Sequence, residues 1–322
     1  MTQIPVLSTP LPKPLFRGAK TYRSPRLGRY GNMKKPAPPR IALQILGLLL
    51  VLFSPASRAE IIEQRLPTGT VLTAEFRAGQ PQLPAVILLH GFLQTREFPT
   101  VDRLANGLAS AGYTTLAPTL SLGISRRNKS LPCEAAHRHT LEQDVKEIAL
   151  WVNWLAERHA GPVVFIGHSY GSLQGLVYAA GAPHPSLRQI IALSLIDTEQ
   201  HPPQVSVPAL LADARARVAR DDKQLIDFAM GHCKKFTATP ASYISYANWN
   251  RKRVLDLSRR NQVPLTVVIG EADNRMGKGW TQALAAAGVQ VDKIKGANHF
   301  FDAEYELDLL DLVLNLLRNQ KS

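Results

Sequence analysis

Gly167-His168-Ser169-Tyr170-Gly171 sets a serine between two glycines, directly after the apolar run Val163-Val164-Phe165-Ile166. An apolar β-branched run, a sharp turn and a helix form a unit in which the strand delivers the hydroxyl and the glycines let neighbouring chain crowd the turn. The N-terminus of the helix that follows aims amide hydrogens at the same point. A hydroxyl held there is poised to attack a carbonyl. The pentapeptide alone is a weak signal; the strand-like run before it and the small-residue helix at 174–181 carry the reading.

Such a turn needs a sheet to hold it. Residues 61–65 and 71–77 flank Pro67-Thr68-Gly69 and predict an opening hairpin. Residues 84–89 are continuously apolar, as in a strand covered on both faces, and run into His90-Gly91-Phe92. A helix is expected at 97–111, then a short strand at 113–117 stopped by Pro118, then a loop at 119–132 carrying Arg126, Arg127 and Lys129. The spacing of Leu141, Val145, Ile148, Val152 and Leu155 predicts one helix over 137–159, with Trp151 and Trp154 in the core. Strands follow at 189–196, 264–269 and 289–294, and an amphipathic helix closes the chain at 304–318. Alternation of this kind predicts an α/β fold, a mostly parallel sheet with helices on both faces. Residues 198–262 interrupt it with two helical patterns, near 209–230 and 241–260, and a net excess of basic residues. They read as a helical lid insertion, with Tyr243, Tyr246 and Trp249 either lining an apolar pocket or forming the lid's own core.

The chain has a formal net charge of +13, but residues 1–59 hold ten basic residues and no acidic one, which leaves +3 for the rest. The body is nearly neutral, and a nucleic-acid partner loses its support. Residues 1–59 read as an N-terminal extension ending in a secretory signal. Met33-Lys34-Lys35 opens a positive region, 41–53 is an apolar run, and Ser57-Arg58-Ala59 is a small-x-small cleavage pattern. The expected start is then Met33 and the expected location periplasmic or secreted, with the folded domain at 60–322. The run falls short of the about 20 residues that span a bilayer, so no stable span is expected in the mature chain, and an uncleaved N-terminal anchor is the alternative. In an oxidising compartment a disulfide between Cys133 and Cys233 would close a loop worth ~3 to 5 kcal/mol, and two independent thiols are the alternative. No set of residues with metal-ligand spacing is visible, and no cofactor is expected.

Leu88-Leu89-His90-Gly91-Phe92, Gly167-His168-Ser169-Tyr170-Gly171, Gly270-Glu271-Ala272-Asp273 and Gly296-Ala297-Asn298-His299 together resemble, in order and spacing, the landmarks of the α/β-hydrolase superfamily. The resemblance covers about 61–320 and implies an α/β-hydrolase fold. It makes Ser169 the nucleophile, His299 the general base and then acid, Asp273 the carboxylate that supports the imidazolium, and the amides of Phe92 and Tyr170 the oxyanion hole. Glu271 and Asp197 are rival acids. Among the other histidines, His168 is expected to pack into the sheet, His90 to support the oxyanion loop, and His137 and His139 to be solvated at a helix start. Serine rather than aspartate at the turn points to acyl transfer to water, on carboxylic, thio or lipid esters. An amidase or peptidase on the same residues, and a non-catalytic binding module on the same fold, are the alternatives.

Overall fold

The computed structural model describes residues 58–197 and 206–319. The signal reading at 1–59, but for its last two residues, and the first part of the insertion lie outside them.

Strands β1 (Glu60–Arg65) and β2 (Val71–Arg77) form the expected hairpin, closed by Gly69 at φ 87°, a conformation glycine adopts without steric cost. Strand β3 (Ala85–Leu89) is buried at every residue. Helix α1 (Pro99–Ser110) leads to β4 (Thr114–Thr119), which continues through Pro118, against the expected stop. The reason is local: β3 pairs with β4 only as far as Leu116, so on that side the missing proline N–H breaks no ladder bond. Helix α2 (Leu141–Ala156) is shorter than its pattern suggested because Thr140 caps it in a reciprocal capping box with Gln143. Strand β5 (Val163–His168), helix α3 (Tyr170–Ala179) and strand β6 (Leu187–Leu193) follow.

The insertion differs from the two helices expected. Helix α4 (Val207–Val218) ends early, and residues beyond it form an antiparallel ribbon, β7 (Ile226–Met230) with β8 (Cys233–Ala238). Phe228, Met230, Cys233 and Phe236 turn to the ribbon's buried side while Gly231 and His232 make the turn. That is a strand period inside a window whose alanines and arginines look helical. The second pattern splits into α5 (Pro240–Ala247) and α6 (Arg251–Arg260), because the Asn250 side chain caps a new helix start on Arg253 N. Strand β9 (Leu265–Gly270), helix α7 (Trp280–Ala286), strand β10 (Gln290–Ile294) and helix α8 (Tyr305–Arg318) complete the chain.

The eight-stranded sheet runs β1-β2-β4-β3-β5-β6-β9-β10, antiparallel at β1–β2 and β2–β4 and parallel elsewhere. Alternate residues of the central strands feed two cores. Ile87, Leu89 and Phe165 pack with α2 and α3, and Val86, Leu88, Val164 and Ile166 pack with α1 and α8. Burying both faces leaves only the strand ends open, and the loops that carry the candidate site residues gather at the C-terminal ends of β3, β5, β9 and β10. Among the described residues no helix is long and apolar enough to cross a membrane.

Candidate active site

Ser169 sits between β5 and α3 at φ 56°, ψ −119°, a backbone conformation that costs a non-glycine residue roughly 1 to 3 kcal/mol. The surroundings force it. A side chain on Gly167 would meet the Gly171 carbonyl carbon at 2.5 Å, and one on Gly171 would meet the His90 carbonyl oxygen at 2.4 Å. Ser169 N donates to Leu193 O (2.8 Å), and the Ser172 hydroxyl donates to Gly167 O (2.6 Å), tying both sides of the turn to the sheet.

His299 reaches the serine from the loop after β10. Its Nε2 lies 3.0 Å from Ser169 Oγ, and its Nδ1 lies 2.8 Å from Asp273 Oδ2. A carboxylate only accepts, so Nδ1 carries the proton and Nε2 is left to accept from the hydroxyl. All three residues are buried. The His299 carbonyl is itself held by His168 Nε2 (2.9 Å) and by the Ser194 hydroxyl (3.1 Å), so the imidazole is aimed by its own main chain. Asp273 is fixed in turn by accepting Arg275 N on Oδ1 (2.9 Å), and the close approach of Gly270 to Ala297 O binds the two loops together.

The rival acids lie elsewhere. Glu271 is exposed, and its amide bonds Ile294 O (3.0 Å). Asp197 is buried against Arg251 and accepts Gly277 N (3.0 Å).

The chain after β3 wraps the turn's other side. A side chain on Gly91 would touch Ser169 Cβ at 3.3 Å, and the rings of Phe92 and Tyr170 stand 4.8 Å apart. Neither the Phe92 nor the Tyr170 amide donates a hydrogen bond among the described residues. Burial, with the nearby Arg127 cation second, holds the His90 pKa down to about 3. Its neutral ring donates from Nδ1 to Gly91 O (2.8 Å) and accepts Leu120 N on Nε2 (3.1 Å). His168 is likewise pushed down to about 3, first by burial and then by its proximity to His299.

His137 and His139 are buried, not solvated. His137 lies in a segment that bonds β8, with its N–H on Thr237 O (2.9 Å) and its ring stacked on Phe236 at 4.3 Å. His139 Nδ1 is 2.8 Å from the Tyr246 hydroxyl, which donates to Asp144, and Asp144 also accepts Gln174 Nε2 (2.7 Å). This polar chain links the insertion to α2 and to the helix behind Ser169. No sequence motif marks it. A buried aspartate on the apolar face of a helix, at i+3 from Leu141, is the one signal it leaves in the sequence.

Tyr243 stacks on Phe228 at 4.1 Å and belongs to the insertion's core, whereas Tyr246 also stands 6.0 Å from the Phe92 ring, at the site's wall. The ribbon tip reaches the same wall, with His232 at 6.0 Å from Phe92. Cys233 at its base is disulfide-bonded to Cys133, with Cα atoms 5.6 Å apart. Among the described residues Cys133, His232 and Cys233 form the one close group of three metal-ligating types, and with both sulfurs bonded to each other only the His232 imidazole is left to ligate.

The model of the alpha/beta hydrolase family matches residues 86–308. No curated protein matches the chain in sequence. Among solved structures, Est1E from Butyrivibrio proteoclasticus is similar at 18% identity and a TM-score of 0.58, over 81% of this chain and 98% of its own. A monoacylglycerol lipase from Paleococcus ferrophilus is similar at 18% and 0.58, over 81% and 100%. The thioesterase domain of the curacin biosynthetic pathway is similar at 16% and 0.55, over 80% and 99%. With the family's model spanning most of the domain and its fold reproduced throughout, this chain belongs to the alpha/beta hydrolase family.

Proposed function

We propose that the protein is a serine hydrolase that cleaves carboxylic esters, lipid or thioesters included, through an acyl-enzyme. The observation that carries this is His299, which bridges Ser169 at 3.0 Å and Asp273 at 2.8 Å in one buried chain. Ser169 Oγ attacks the ester carbonyl as His299 Nε2 takes its proton, and Asp273 steadies the imidazolium. The negative charge that forms on the carbonyl oxygen is met by the Phe92 and Tyr170 amides. Collapse expels the alcohol or thiol, which receives the proton from His299. Water then repeats the sequence on the acyl-serine and releases the acid.

The names of similar structures, a lipase and a thioesterase among them, support an acyl ester rather than a particular one. The insertion acts as a lid in this reading, since its ribbon tip and Tyr246 stand at the site's aromatic wall. The signal-like N-terminus supports a periplasmic or secreted location with Met33 as the start, and the disulfide fits an oxidising compartment. N-terminal sequencing of exported protein checks the location, and a chain beginning at Met1 would refute it.

The deciding assay sets p-nitrophenyl and thioesters against aminoacyl anilides, on wild type and Ser169→Ala. Ester turnover that vanishes in the variant is expected. Anilide turnover instead would make the protein an amidase, and failure of a fluorophosphonate to label Ser169 would make it a binding module.

A further inference from the structure

The segment at 120–131 closes over the turn that carries Phe92. In that turn Gln94 N donates to Gly91 O (3.2 Å) and Gly91 N donates to Gln94 Oε1 (3.1 Å), with Phe92 and Leu93 at its centre. Leu93 has φ 58°, a left-handed conformation that a leucine does not adopt unaided.

Arg127 supplies the restraint. Its side chain is buried, and Nε donates to Leu120 O (2.7 Å), Nη1 to Lys129 O (2.9 Å) and Leu93 O (3.4 Å), and Nη2 to Gln94 O (2.6 Å). Nη2 also lies 3.3 Å from His90 Nε2, the acceptor nitrogen of a neutral ring. Leu131 N adds a main-chain bond to Leu93 O (2.9 Å). Burial brings the guanidinium pKa down to about 10, so it is still a cation at neutral pH, with the charges of Asp144 and Glu147 supporting it. Among the described residues no carboxylate lies within ion-pair distance of Arg127, so its donors go to the main-chain carbonyls on either side of the loop. Its neighbour Arg126 points outward to Glu63 (2.6 Å).

We infer that Arg127 is a positioning residue for the oxyanion hole: by gripping the carbonyls of Leu93 and Gln94 it holds the 90–94 turn in the strained form that leaves the Phe92 amide free beside Ser169. The inference rests on the hydrolase reading above. It requires planar, forked donation to several carbonyls at once, which a lysine ammonium cannot reproduce.

The test measures kcat and KM for a p-nitrophenyl ester, and the affinity of an arylboronate that forms a tetrahedral adduct on the serine. It compares wild type, Arg127→Ala, Arg127→Lys and Arg126→Ala, with and without millimolar guanidinium chloride. Both Arg127 variants are expected to lose about 10²-fold in kcat, since a misplacement near 1 Å costs about that much, with KM moving less than about threefold. Boronate affinity falls in parallel, guanidinium restores part of kcat in Arg127→Ala, and Arg126→Ala matches wild type. If Arg127→Ala does not fold, Arg127→Lys carries the test through the same kcat and boronate readings. Folded Arg127 variants within about threefold of wild-type kcat would overturn the inference. So would a loss that follows only the unfolded fraction and ignores guanidinium. A wild type that neither turns over esters nor takes up a fluorophosphonate overturns the hydrolase reading and this inference with it; an active, labelled wild type beside unaffected Arg127 variants sinks Arg127's role alone.

Discussion

The turn at Ser169 and the ribbon tip at His232 flank one site and are held by opposite means. From Val163 through Leu173 every residue is buried, and the shape arises from main chain pressed on main chain, Gly167 against Gly171 and Gly171 against the His90 carbonyl. The ribbon tip exposes His232 and is held by side chains and one covalent bond: the Cys133–Cys233 disulfide, the bonds between β8 and His137, and Tyr246 reaching Asp144. Packing of the first kind leaves no room for a Cβ, so the geometry at Ser169 and the fold stand or fall together. Packing of the second kind lets side chains change while the serine stays where it is. On the function proposed above, chemistry belongs to the first region and substrate choice to the second.

Substitutions on the two sides should therefore separate. Ser169→Ala is expected to lower kcat by roughly 10⁴- to 10⁶-fold with an unchanged melting temperature, read in an ester assay beside a thermal melt. Residual turnover near wild type would break the comparison at its root. Asp273→Asn should cost about 10⁴-fold by leaving His299 in the wrong tautomer, while Asp197→Asn should chiefly lower stability, because its carboxylate pairs with Arg251. Equal losses of kcat in the two would refute the assignment of the acid.

Reduction of the disulfide, or Cys133→Ser with Cys233→Ser, should remove about 3 to 5 kcal/mol, because the bridge spans a sequence separation of 100. The signature is a lower urea midpoint in reductant, with esterase activity retained well below it.

Acid should act on both regions, because burial also holds His137, which braces the ribbon, down to about 4. His90 and His168 titrate near 3 in the folded protein against 6.5 for a free histidine, so the unfolded chain binds more protons between these values. The stability they contribute is complete above pH 6.5 and is lost as pH falls, by roughly 2 kcal/mol for each at pH 5. Glu147 runs the other way: burial raises its pKa to about 7, which weakens the fold as pH climbs from 4.5 towards 7. With His137, three buried histidines outweigh one glutamate, so the urea midpoint should drop from pH 6.5 to 5, and a flat profile would count against neutral buried imidazoles. Tyr246→Phe is the smallest effect expected, about 1 to 3 kcal/mol of stability from leaving Asp144 and His139 short of a partner, seen in a thermal melt.

The hairpin, the buried strand at 85–89 and the strand–turn–helix at Ser169 were legible because each is encoded within a few residues, by a two-residue alternation, a continuous apolar run or a pair of glycines. The insertion was not. Its ribbon is stabilised by pairing and by burial against Tyr243 and Phe92, and a window of alanines and arginines gives no hint of that. His137 and His139 look solvated for the same reason: their burial is supplied by Phe236 and Tyr246, a hundred residues away along the chain.

The order of residues alone determined that a serine would stand at a strained turn and that histidine and acid candidates would follow strand ends, since such local geometry depends on neighbours in the chain. Tertiary structure alone decided that Arg127 rather than Arg126 turns inward and that His137 and His139 are buried, and it alone brings Ser169, His299 and Asp273, already singled out along the chain, within bonding distance across a gap of 130 residues. Those outcomes depend on sheet order and on which loops collide at the strand ends, and directional bonds of about 3 Å form only between groups that the whole fold brings face to face.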